Sequence, residues 1–184
     1  MNGALNENNI TVFWNIGQIY NLREETVTDW KDLEGDVSGW LSAFSLDGIS
    51  FRNPYQAIVG FPSGRFRSDG MLADGDTLLA VEIEAGQTHP DTNTGKYWLL
   101  NSRYYSYKRV VLFHIYTPDF KSYPWRKELA EFLVEKMRPE VPIDCVVLNY
   151  RTATEYEATL GEIKATIQKR IKQEFSKEFY QSMN

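Results

Sequence analysis

Arg67-Ser68-Asp69-Gly70-Met71-Leu72-Ala73-Asp74-Gly75-Asp76-Thr77-Leu78-Leu79-Ala80-Val81-Glu82-Ile83-Glu84-Ala85-Gly86-Gln87 is the stretch that decides the fold of this 184-residue chain. Leu79, Val81 and Ile83 alternate with Ala80, Glu82 and Glu84, the period of a β-strand in which residues two apart share a face. Glu82 and Glu84 therefore leave the sheet on the same side, while the intervening aliphatics enter the core. Ala73-Asp74-Gly75-Asp76 reads as a tight hairpin, since Asp-Gly readily takes the positive φ that such turns need. A turn centred on Asp74-Gly75 places Asp69 near Ala80, with Glu82 as its diagonal neighbour.

Working outward, the N-terminal side carries two helical patterns, Val12 to Tyr20 and Trp30 to Phe44, the second after a Thr28 cap and weakened by Gly35 and Gly39. Strands are expected at Tyr55–Gly60, Arg65–Leu72 and Thr77–Ala85. On the C-terminal side follow a helix from about Asn93 to Tyr107 and a strand over Arg109–Tyr116. A helix then opens at Pro124, carries Trp125, Leu129, Phe132, Leu133 and Met137, and stops at Pro139. Ile143–Tyr150 is another strand, and Thr154 with Glu157 forms a capping box for a long last helix. The order α-α-β-β-β-α-β-α-β-α predicts one α/β domain over residues 1–184, with a central mixed sheet of four to five strands flanked by helices.

Composition limits the function classes. Hydrophobic residues at 42% and aromatics at 14% exclude a mainly disordered chain. No apolar run approaches the roughly 18 residues of a membrane span, and the first residues lack the pattern of a signal peptide. The expectation is a soluble cytoplasmic protein. One cysteine, Cys145, and two histidines, His89 and His114, leave no cysteine-based zinc cluster and make a Cys–His nucleophile improbable. Phosphate-binding glycine loops, nucleophile elbows, His-Glu-x-x-His and dinucleotide fingerprints are absent from the sequence. The net charge of −5 divides unevenly: residues 1–95 carry −9, residues 96–138 carry +5 and residues 139–184 carry −1. An acidic cluster followed by a basic stretch suits a metal acting on a polyanion; ordinary solvated charge is the plain alternative.

Three carboxylates gathered on one sheet face repel one another unless a cation neutralises them. Hard oxygen donors favour Mg²⁺ or Mn²⁺, the usual companions of phosphate substrates. The competing reading of Glu82 and Glu84 is a polar strand face turned to solvent. Asp74 and Asp76 are explained by the turn.

The pattern Asp69, a spacer of twelve residues, then Glu82-Ile83-Glu84 resembles the PD-(D/E)XK superfamily of restriction-endonuclease-like nucleases, whose signature is an aspartate, a spacer, and acid–any–lysine on the next strand. Ser68 stands at the proline position and Glu84 at the lysine position, as in the Glu-X-Glu variant of some restriction enzymes. The element order over roughly residues 8–150 is also similar to that superfamily's core. The resemblance implies a restriction-endonuclease-like core and a Mg²⁺-dependent (or Mn²⁺-dependent) endonuclease that hydrolyses phosphodiester bonds in DNA. Asp69, Glu82 and Glu84 would be its metal ligands and catalytic acids. Lys96, on the following helix, would supply the missing lysine, holding the attacking water or the scissile phosphate; a solvated surface lysine is the alternative. Gln87 is a candidate for orienting a ligand or water, with a loop hydrogen bond as the alternative, Glu24 or Glu25 for an added acid, and His89, a loop residue, for a phosphate contact or an acid, whereas His114 reads as a satisfied strand histidine. Arg103, Lys108 and Arg109, interleaved with Tyr104, Tyr105 and Tyr107, would contact DNA. Nucleases of this minimal size often act as homodimers or as one subunit of an assembly. Glu84 in place of lysine keeps a second reading open, a catalytically inactive relative that serves as a binding module.

Overall fold

The computed structural model describes residues 29–44, 67–74, 76–86 and 89–175. Helix α1 (Asp32–Ala43) is followed by β1 (Gly70–Asp74), β2 (Thr77–Glu84), α2 (Pro90–Arg103), β3 (Arg109–Tyr116), α3 (Pro124–Met137), β4 (Ile143–Asn149) and α4 (Tyr156–Phe175). The four strands form one open mixed sheet in the order β1-β2-β3-β4, with β1 antiparallel to β2 and the other neighbours parallel. The α/β class and the mixed sheet stand as expected. The strand expected at Tyr55–Gly60, the first helix and the Thr28 cap lie outside the described residues.

Both faces of the sheet are covered. Leu79, Val81 and Ile83 of β2 and Val111, Phe113 and Ile115 of β3 join Leu33, Val37 and Leu41 of α1 and the Leu160-Ile163-Ile167-Ile171 seam of α4 in one core cluster. Leu78, Ala80, Val110 and Leu112 point the other way and pack with Tyr97 and Leu100 of α2 and Val134 and Met137 of α3. A strand buried on both faces normally reads as a continuous apolar run, as Val110–Ile115 largely does. Two glutamates in β2 therefore break the rule for a central strand. They do not face water: Glu82 is 2% exposed and Glu84 is fully buried, on the face covered by α2.

Several boundaries and registers differ from the sequence reading, each for a local reason. β1 pairs Met71 with Ala80 and Gly70 with Val81, so the hairpin register is displaced by two residues from the one centred on Asp74-Gly75. A two-residue displacement keeps every side chain on its face. The strand runs from Gly70 to Asp74, later than Arg65–Leu72. Helix α2 begins at Pro90, whose fixed φ suits a first turn, and ends at Arg103, so the three tyrosines expected on its tail lie beyond it. Tyr107 is buried, and Tyr104 and Tyr105 are exposed. On α3 the sheet is met by Ala130, Val134 and Met137, while Trp125 and Phe132 are about half exposed instead of joining the core stripe. Among the described residues no helix is long and apolar enough to cross a membrane.

Candidate active site

The site grows from the place where β1 runs out. Beyond Gly70 the ladder stops, and Asp69 replaces it: its Oδ2 accepts the Ile83 backbone N–H at 2.7 Å. Ser68 anchors the same corner. Its Oγ lies 2.8 Å from Gly70 O and 2.9 Å from Val81 O, tying the start of β1 to β2. These two local contacts bring Asp69 beside Glu82.

Helix α2 closes over the acids with three side chains spaced i, i+3 and i+4, which lie on one helix face. Lys96 Nζ sits 2.7 Å from Glu82 Oε2, 2.6 Å from Arg67 O and 3.4 Å from Asn93 Oδ1. An ammonium has three N–H donors, and all three have acceptors. The Tyr97 hydroxyl donates a short hydrogen bond to Glu82 Oε1 and stands 3.2 Å from Ser68 Oγ. Asn93 Nδ2 donates to Glu84 Oε1 at 2.9 Å. The same Oε1 is 2.7 Å from His114 Nε2, and the other ring nitrogen of His114 is 3.2 Å from the Tyr116 hydroxyl. Glu84 Oε2 is buried and has no hydrogen-bond partner among the described residues.

The electrostatics follow from burial. Asp69 is pushed up to about 8, first by desolvation and then by the charge of Glu82, with the Ile83 N–H acting in the opposite direction. Glu82 is also raised, because the loss of water outweighs the help of Lys96 and Tyr97. Burial, and then Glu82, hold the Tyr97 phenol well above its ordinary range, so it remains a donor to that carboxylate.

The structure joins Glu82, Lys96 and Glu84 in one hydrogen-bonded network through Asn93, with Asp69 beside Glu82; Lys96, expected in the first turn of its helix, lies in the second turn of α2. It does not bring the basic candidates there. Arg109 pairs in register with Thr77, whereas Glu84 pairs with Tyr116 at the other end of the same two strands, roughly 23 Å away at ~3.3 Å per residue. Lys108 is ion-paired to Asp76 at 2.7 Å. Arg109 is engaged by Asp144 and Glu174. Arg103 is exposed at the end of α2, and His89 is exposed just before it. Gln87, Glu24 and Glu25 lie outside the described residues.

Three members of the network escaped the sequence reading. Asn93 and Tyr97 carried a signal, since they share the i, i+3, i+4 face with Lys96. His114 carried none, because only the β2–β3 register sets it opposite Glu82.

As placed, no three His, Cys, Asp or Glu side chains among the described residues form a group that could hold a metal ion. The donor chemistry nevertheless suits a hard cation. The set is all oxygen, three carboxylates stand against one ammonium, Asp69 is strained toward its protonated form, and one buried Glu84 oxygen has no partner among the described residues. In the comparisons with known proteins, no family model, curated protein or solved structure matches the chain.

Proposed function

We propose that this chain is a Mg²⁺-dependent (or Mn²⁺-dependent) DNA endonuclease of the PD-(D/E)XK type in its Glu-X-Glu form, with a restriction-endonuclease-like core, acting in the cytoplasm as a homodimer or as one subunit of an assembly. The observation that carries the reading is the meeting of Lys96, from α2, with Glu82 at 2.7 Å, beside an Asp69 whose carboxyl responds to the charge of Glu82. An aspartate just before β1, a glutamate of β2 and a lysine of α2 share one corner, in which Glu82 and Lys96 are buried and Asp69 is partly buried.

Asp69, Glu82 and Glu84 would supply the oxygen donors for the ion, and a bound Mg²⁺ would polarise the scissile phosphate and acidify the attacking water. Asp69 must give up its proton to serve, and since burial raises its pKa, metal binding would release a proton and strengthen as pH rises. Lys96 is held by Glu82, Arg67 O and Asn93, which occupy its three N–H groups, so it would act on a phosphate oxygen or the nucleophile through its fixed positive charge and not through a hydrogen bond. Tyr97 keeps Glu82 oriented. Arg103, exposed at the end of α2, and Lys108 and Arg109 at the far end of the strands would contact the DNA backbone away from the cleavage point.

One observation favours a second reading, an inactive relative that binds without cleaving. Lys96 and Tyr97 already engage both oxygens of Glu82, so this part of the site is satisfied without an ion. A thermal-shift titration with Mg²⁺ and Mn²⁺, run beside a plasmid-nicking assay, separates the two. Metal-dependent stabilisation and nicking, both lost in Asp69→Ala, support the nuclease. Stabilisation without nicking selects the inactive relative, and no metal response overturns the metal-site reading.

A further inference from the structure

Glu84 is held asymmetrically. Two donors from different elements, Asn93 Nδ2 at 2.9 Å and His114 Nε2 at 2.7 Å, converge on Oε1. The second oxygen, Oε2, is buried with no partner among the described residues, although Glu84 is fully excluded from solvent. A merely structural Glu–His pair would be expected to satisfy both oxygens, because a buried acceptor left alone has lost its water without replacement.

His114 is itself fixed. It lies on β3 directly opposite Glu82 in the parallel register, so its ring reaches across to Glu84 on the same face. The Tyr116 ring stacks against it at 4.6 Å, with the Tyr116 hydroxyl 3.2 Å from Nδ1. A phenol hydroxyl at that distance can donate to Nδ1. Nε2–H is then the donor that faces Glu84. Behind the ring lies a cavity of about 220 Å³, bordered by His114, Val134, Arg138, Cys145 and Val147.

We propose that His114 is a positioning residue for the acid site: with Asn93 it clamps Glu84 through Oε1, so that Oε2 is the one oxygen turned to a cation or a water. This assignment rests on the metal-site reading above. It gives a function to a histidine that the nuclease pattern does not include, and it explains why Glu84 can replace a lysine without becoming a solvated surface group. Both contacts fall on Oε1, which leaves Oε2 as the oxygen open to a ligand.

The test compares His114→Leu, which keeps volume but loses the donor, with His114→Gln, which keeps an N–H near Nε2. His114→Ala is examined with and without added imidazole, a molecule far smaller than the adjoining cavity and able to enter through it. The readout is the Mg²⁺-dependent thermal shift, with the metal-free melting temperature in the same buffer and imidazole as reference. Loss of a hydrogen-bonding partner of a metal ligand typically weakens metal affinity about 10–100-fold. That loss is expected for Leu and for Ala, with recovery in Gln and in Ala plus imidazole. Where the wild type responds to Mg²⁺ and His114→Leu responds equally, His114 is structural and the assignment falls while the metal site stands. Where Leu and Gln lose the response alike and imidazole restores none of it, the assignment also falls. Where the wild type itself shows no Mg²⁺ response, the metal-site reading and this assignment fall together.

Discussion

Lys96 Nζ and Glu82 Oε2 stand 2.7 Å apart with side chains only 6% and 2% exposed, an ion pair sealed between α2 and the centre of the sheet. Such a pair is poor evidence of net stability, since removing both charges from water offsets much of their attraction, but breaking it from one side leaves an uncompensated buried charge. Lys96→Met should therefore cost about 3–5 kcal/mol near neutral pH. Adding Glu82→Gln should recover a substantial part, giving a coupling of about 1 kcal/mol or more. Urea denaturation of the four proteins in the cycle measures it, and additive losses would show that the pair carries no coupling.

Asp69 predicts a pH dependence. Its folded value of about 8 lies above its ordinary 3.8, so between those values the folded state holds a proton that the unfolded chain has released. Metal-free stability should then fall as pH rises from about 4 to about 8, by at most ~1.4 kcal/mol per pH unit, and level off above. Glu82, also raised by burial, adds a slope of the same sign. Asp69→Asn keeps an acceptor for the Ile83 N–H but removes one titration, so its urea midpoint should change less across this range. If Asp69 is a ligand as proposed, only its ionised form would bind metal, so wild-type stabilisation by Mg²⁺ should grow over the same rise in pH. A wild-type midpoint that climbs with pH would contradict the assignment.

Arg103 and Arg109 should behave differently although the sequence reading grouped them. Arg109 bridges β3 to α4 through Glu174, at 3.1 and 3.2 Å, and to Asp144 at 3.4 Å. Arg109→Ala should lose about 1–2 kcal/mol of stability, limited by the Arg170 contact that Glu174 retains. Arg103→Ala should change stability by less than about 0.5 kcal/mol yet reduce the slope of log affinity for DNA against log salt by about one. Melting curves and salt-titrated binding read the two effects, and an unchanged slope would exclude Arg103 from the contact surface.

Gly70 separates Asp69 from the body of β1 at a point of close approach. A Cβ there would collide with Cδ1 of Leu41 on α1 and stand 3.3 Å from Val81 Cβ. Gly70→Ala should destabilise by about 1–3 kcal/mol through overpacking. Because the collision lies next to Asp69, the variant should also weaken the Mg²⁺ response, whereas Gly39→Ala, with nothing within 4 Å of the added carbon, should do neither. Thermal shifts of both variants with and without Mg²⁺ decide this.

The sequence by itself determined what depends on local geometry. Strand alternation put Glu82 and Glu84 on one face, Asp-Gly marked a hairpin that returned Asp69 to their neighbourhood, and Pro124 and the apolar seam of the last helix placed α3 and α4. Those signals are legible because a residue's direction within a helix or strand is fixed by φ and ψ a few residues away. Tertiary structure decided what covers that face. Burial of the acids beneath α2, the capture of Glu82 by Lys96 and Tyr97, and the clamp on Glu84 by Asn93 and His114 join residues up to thirty positions apart. The parallel β2–β3 register, set by the packing of two cores on opposite faces, likewise sent Lys108 and Arg109 to the far end of the sheet from the acids they follow in sequence. Alternation states which residues share a face. Whether that face meets water or a helix is fixed by burying the rest of the chain's apolar surface, a property no short window of sequence contains.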